Sequence, residues 1–237
     1  MKKFLFLYLI LFAVTGIFAQ ERNIEQAEFD ALRKNPFARF RGQSFREITV
    51  SDNYAETPFS KTLNQNSSKF VTEFGPARAI RQIQEYNYPT RKKTERIIID
   101  GKKYERIDDG VWTVSKFEII APTEKLPPPE SILKPIEEQI EYKFLGTEII
   151  DNQTVNIYAK IEKRRLLNTK SNKETLSNIT RKLWYDGNGG LLKQEMVMEN
   201  RLKNDDGNPD SIFRITQTTT WEIDPNIKIE APVPTEK

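Results

Sequence analysis

Thr94-Glu95-Arg96-Ile97-Ile98-Ile99-Asp100-Gly101-Lys102-Lys103-Tyr104-Glu105-Arg106-Ile107 is the stretch on which the fold reading rests. Asp-Gly readily takes the positive φ that a type I′ turn needs at both central positions, and that turn's twist matches two antiparallel strands. Thr94–Asp100 and Lys103–Ile107 are therefore predicted to form a hairpin. The same signal recurs along the chain. Asp109-Gly110 turns it into Val111–Ile119, and Asp186-Gly187-Asn188-Gly189-Gly190 separates Ile179–Tyr185 from Leu191–Asn200. Asn204-Asp205-Asp206-Gly207-Asn208-Pro209 then separates that strand from Ser211–Ile223.

The cleanest alternation is Thr154–Glu162, with Val155, Ile157, Ala159 and Ile161 on one face and Asn156, Tyr158, Lys160 and Glu162 on the other. Ser44–Val50, Lys69–Phe74 and Arg78–Tyr86 complete the strands, and Ser51–Asn66 reads as a loop or irregular edge. Strands joined by tight turns describe an antiparallel meander.

Two helices are predicted beside it. Ile24, Ala27, Ala31 and Leu32 fall at helical spacing within residues 22–34, ahead of Pro36. After the stiff Leu126-Pro127-Pro128-Pro129 connector, Ile132, Ile136 and Ile140 recur every four residues, one apolar stripe on a helix over residues 131–141. Pro135 is tolerable there only in the first turn. The predicted fold class is thus α+β: a curved antiparallel sheet with short helices on its concave face.

Residues 1–19 have the layout of a cleaved export signal: Lys2 and Lys3, an apolar run from Phe4 to Phe18, and the small residue Ala19. The run is too short to span a bilayer. The expected mature domain is 20–237, a single unit ending in a polar tail at 233–237, and the expected compartment is periplasmic, with secretion as the alternative.

The 237-residue chain holds 37 basic and 34 acidic side chains, so losing Lys2 and Lys3 leaves it nearly neutral, with no electrostatic reason to bind nucleic acid. It contains no cysteine and no histidine. That excludes disulfides, thiolate nucleophiles, thiolate or imidazole metal sites and every triad built on His. No Gly-rich phosphate loop or Ser-x-x-Lys motif is present, and no carboxylate pair is marked out as acid and base. The expectation is a non-enzymatic binding protein without cofactor or metal.

Three stretches then carry a family resemblance. They are Thr72-Glu73-Phe74-Gly75-Pro76-Ala77-Arg78; Ile97 to Arg106 followed by Asp109-Gly110-Val111-Trp112; and Leu183-Trp184-Tyr185-Asp186 with Gly189-Gly190-Leu191. The pattern resembles the LolA-like lipoprotein-carrier superfamily, including the LppX-type lipid carriers. The resemblance implies an incomplete β-barrel with helices over its open mouth, a monomer that holds lipid or lipoprotein acyl chains and touches membranes only peripherally. On that basis Trp112, Phe117, Trp184, Met196, Met198, Phe213, Ile215 and Trp221 are the candidate cavity lining, with ordinary core packing as the competing reading of each. Ile132, Ile136 and Ile140 are the candidate lid. The alternative function is an envelope module that binds a polypeptide partner on the same sheet; a hydrolase working through carboxylates is a third, weaker one.

Other motifs have plainer readings. The acidic loop Asn204–Asp210 fails the EF-hand template, because Leu202 would occupy its first ligand position. Asn66-Ser67-Ser68, Asn152-Gln153-Thr154 and Asn178-Ile179-Thr180 spell glycosylation sequons. Lys160-Ile161-Glu162-Lys163-Arg164-Arg165 is either a surface for anionic headgroups or a solvated strand end.

Overall fold

The structure is a computed structural model that describes residues 21–57, 66–87, 90–117, 133–203 and 210–233. The export signal, the Pro127–Pro129 connector, Ile132 and the loop 204–209 lie outside the described residues, as do the last four residues of the tail. In chain order the elements are β1 (Arg22–Asn23), helix α1 (Gln26–Leu32), β2 (Phe45–Glu56), β3 (Asn66–Phe74), β4 (Ile80–Tyr86), β5 (Lys92–Ile99), β6 (Lys102–Ile107), β7 (Thr113–Lys116), β8 (Leu133–Ile150), β9 (Gln153–Asn168), β10 (Glu174–Tyr185), β11 (Leu191–Leu202) and β12 (Ser211–Ile223). Short 3-10 turns lie at Ala38–Phe40 and Pro76–Arg78. No helix among the described residues is long and apolar enough to cross a membrane.

The twelve strands among the described residues form one open antiparallel sheet in the order β1-β8-β9-β10-β11-β12-β2-β3-β4-β5-β6-β7. Nearly every neighbour pair is consecutive in the chain; the exceptions are β12 against β2 and β1 against β8. The predicted hairpin is present. Asp100 and Gly101 sit at φ 50° and 69°, the left-handed pair a type I′ turn requires. Asp151 and Asn152 make an equivalent turn, φ 49° and 62°, between β8 and β9.

The sheet bends around α1. Ile24, Phe29 and Phe40 pack with Leu183, Tyr185, Leu191 and Trp221, and against them lie Phe45, Tyr142, Phe144 and Tyr158. These side chains come from β8, β9, β10, β11, β12 and β2, six adjacent strands that would span about 24 Å if laid flat. A seven-residue helix and its following turn reach all of them only because the sheet curves, as the right-handed twist of a wide sheet dictates. The concave face is the one that carries α1.

Helix α1 is shorter than the predicted 22–34, because Arg22 and Asn23 pair with Phe144 and Lys143 instead. Its buried face also differs: Phe29 is enclosed, while Ala27 and Ala31 are exposed. The largest apolar side chain chose the face.

The predicted helix over residues 131–141 is corrected to strand. Leu133–Ile150 is an 18-residue strand paired along its length with β9. Ile136, Ile140, Tyr142 and Phe144 satisfy a period of two as well as Ile132, Ile136 and Ile140 satisfy a period of four. The deciding term is the partner. Arg164 and Arg165 of β9 face Glu138 and Glu137 of β8, at 2.5 and 3.5 Å. Pro135 sits beside a register shift, a place where strands tolerate a residue without an N–H. The basic run of β9 is therefore largely neutralised within the sheet.

A second core lies on the convex face at the far end. After β12, Asp224 accepts the Asn226 N–H at 3.0 Å in a turn, and the chain crosses back so that Ile227 and Ile229 pack on Ala79, Ile97 and Tyr104. Gly75 permits this crossing: a Cβ there would stand 3.1 Å from Ile229 Cδ1. Beside it runs an ion-pair ladder. Arg46 meets Glu73 at 2.8 Å, and Arg81 and Arg106 each meet Glu95 at 2.6 Å. Burial alone would push the Glu95 carboxyl up, but hydrogen bonds from Arg106 and Arg81 outweigh it and hold it below the usual carboxylate range. A depressed carboxyl stabilises the fold fully above its unfolded-state value, and that contribution is lost as pH falls through the folded value. Melting temperature should therefore drop on acidification below the ordinary carboxylate range. Glu95→Gln should lower it at neutral pH and flatten that acid dependence; an unchanged acid profile in the variant would contradict the assignment.

Candidate functional site

Strand alternation sorts the candidate residues by face. On β11, Met196 and Met198 point to the concave side, and on β12 so do Phe213, Ile215 and Trp221. Met198 stands directly opposite Ile179 of β10 and Ile215 of β12, and Met196 opposite Arg181. Ile179, Met196, Met198, Ile215 and Phe213 thus form one apolar stripe across β10–β12. Phe213 is 46% exposed, and the other members of the stripe are half-buried. Met196 to Leu202 on the same face spans about 20 Å at the rise of a strand, with the polar Asn200 between Met198 and Leu202.

Its immediate flanks are mainly polar. Toward β2 the same face carries Asn53 opposite Ile215 and Thr49 hydrogen-bonded to Thr219 at 3.0 Å, with half-buried Phe70 opposite Thr49 on β3. Toward β9 it carries Glu162, whose side chain is only 3% exposed.

The remaining candidates lie elsewhere. Trp221 is buried under the turn that follows α1, 5.6 Å from the Phe37 ring, and its indole N–H donates to Glu47 at 2.8 Å. Trp184 pairs with Lys193, one position out of phase with the stripe, and so faces the convex side, with the Lys193 ammonium 4.5 Å from its ring centroid. Trp112 belongs to the convex core, beneath the Arg106 guanidinium at 4.8 Å. Phe117 is exposed beyond β7. Ile136 and Ile140 are 48% and 37% exposed on β8 and cover no cavity as a helix.

A group that the sequence did not mark closes one end of the stripe. A pocket of about 250 Å³ lies between α1 and the sheet, lined by Phe29, Arg33, Lys160, Arg181, Leu183, Gln194 and Met196. Its cations come from α1's C-terminal cap, β9 and β10, so no local motif announces them. Glu162 takes contacts from Lys160 at 3.1 Å, Arg164 at 2.8 Å and Arg181 at 3.5 Å. Arg164 is shared with Glu138. Burial among these aromatic neighbours raises the Tyr158 and Tyr185 hydroxyls, so both stay neutral at physiological pH.

Comparison with known proteins finds similarity to three solved structures. No family model matches the chain, and no curated protein sequence does. The chain is similar to a structure described as an outer membrane lipoprotein-sorting protein domain from Vibrio parahaemolyticus, at 10% identity and a TM-score of 0.27, over 84% of this chain and 93% of that one. It is similar to a DUF1329 family protein from Desulfovibrio piger at 11% identity and a TM-score of 0.24, over 85% and 91% of the two chains. A chain of the MucA/MucB complex from Pseudomonas aeruginosa is similar at 11% identity and a TM-score of 0.24, over 80% and 93%.

Proposed function

We propose that this chain is an exported, non-enzymatic binding protein for the acyl chains of lipids or lipoproteins, acting as a carrier in the periplasm. The observation that carries the reading is the Met196–Met198–Ile215–Phe213 stripe, an apolar track on the concave face of an open sheet. Burial contributes about 0.8 kcal/mol per methylene, so such a face holds an acyl chain by contact alone. Methionine suits the task because its flexible thioether adapts to a ligand without fixed shape. The export-signal pattern of residues 1–19 and the LolA-like motifs support the same reading. Native mass spectrometry of the protein purified from its own envelope should show copurified acyl-bearing lipid or lipoprotein. A bare chain, or one carrying only a polypeptide, would overturn it.

One observation favours the second reading, an envelope module for a polypeptide partner. β1 pairs only with Lys143 and Phe144 of β8, so the β8 edge from Lys134 to Glu141 has no partner strand among the described residues. Such an edge accepts an added strand.

A further inference from the structure

We propose that the pocket between α1 and strands β9–β11 is an anion subsite, in which Arg33, Lys160 and Arg181 hold the carboxylate or phosphate end of an amphiphile. This rests on the acyl-chain reading and specifies the polar half of the ligand. Three cationic side chains line the pocket and no carboxylate does. Glu162, just outside the lining, is the carboxylate that Lys160 and Arg181 share, and it already takes Arg164 as well. One carboxylate against Lys160, Arg181 and Arg33 leaves positive charge unbalanced. Arg33, at the C-terminal cap of α1, forms no side-chain ion pair among the described residues.

The apolar part of the lining is Phe29, Leu183 and Met196, beside the three cations and Gln194. Phe29 and Leu183 are buried beside the cations and limit competition from water, which strengthens charge-assisted hydrogen bonds to an oxyanion. The pocket is also continuous with the stripe. Met196 lines it, and Met198 is the next residue on the same face of β11. A head group held by Arg181 and Lys160 would therefore lay its tail along Met196, Met198 and Ile215. A neutral head group would leave Arg33 without an ion-pair partner among the described residues, and a purely apolar ligand would leave the pocket unused. The geometry fits a single-chain anionic amphiphile best.

The test is fluorescence titration of the exported protein with dansyl-labelled undecanoic acid and with its uncharged methyl ester. Dodecyl phosphate and inorganic phosphate serve as competitors. The acid should bind about tenfold more tightly than the ester. Arg33→Gln/Arg181→Gln should bring the two affinities to within about twofold without weakening the ester. If that double variant fails to fold, Arg33→Gln alone, at an exposed position, should still cut the preference by about threefold. Dodecyl phosphate should displace the dye, and inorganic phosphate at the same concentration should not. Equal binding of acid and ester by the unaltered protein would remove the subsite and leave the acyl-chain reading standing. Binding of neither would remove both. Displacement by inorganic phosphate would make the pocket a small-anion site and overturn the head-group assignment.

Discussion

Phe29→Ala is expected to lower the stability of the fold by about 3–5 kcal/mol, the cost of deleting a buried aromatic side chain and leaving its cavity. Phe29 is 2% exposed and its ring centroid lies 5.0 Å from that of Tyr142. Helix α1 has seven residues and no side-chain cap at Glu25, too short to persist in water on its own account. Its docking depends on this one ring, with Leu32 a turn later at half-burial. The loss should appear as a fall of roughly 10 °C in melting temperature, taking about 2–4 °C per kcal/mol for a chain of this size. Far-ultraviolet dichroism below the transition should remain dominated by the sheet, because β8–β12 are held by their own ladders. A melting temperature unchanged to within about 2 °C would contradict the role assigned to α1.

The Asp100-Gly101 turn was legible because its backbone requirement is local, and β12 begins and ends at the predicted Ser211 and Ile223 for the same reason: turn residues bound it on one side and Asp224-Pro225 on the other. β8 was not. Its isoleucines fit two periods, and the choice between them was made by Arg164 and Arg165 of β9, more than twenty residues away. The Asp151–Asn152 turn lacks glycine, so its left-handed geometry gave no signal.

Faces were harder than strands. Trp184 and Trp221 look equivalent in the sequence, yet Trp184 is in register with Lys193 and Thr220, one residue out of phase with Trp221. A one-residue difference in register sends a side chain to the opposite face. Met196, Met198, Phe213 and Ile215 share one face because β11 and β12 pair in unbroken register from Lys193↔Thr220 to Leu202↔Ser211. The Arg33, Lys160 and Arg181 pocket and the convex packing of Ile227 and Ile229 depend on long-range approach and have no local signature.

If the concave face alone binds acyl chains, as proposed, neighbouring residues of one strand separate the two faces. Met198 points along the stripe beside Ile179 and Ile215; Val197 points to the convex side and is 40% exposed. Met198→Asp puts a carboxylate into the track, with buried Glu162 already next to Ile179. An unpaired charge against an acyl chain costs about 2 kcal/mol or more, so affinity for dansyl-labelled undecanoic acid should fall at least about 30-fold. Val197→Asp changes the same charge one residue away on the solvated face, and its affinity should stay within about twofold of the unaltered protein. Titrating the three proteins side by side, with dichroism confirming that each is folded, gives the answer. A large loss in Met198→Asp with none in Val197→Asp is the predicted result; equal losses, or no loss in either, would contradict the account.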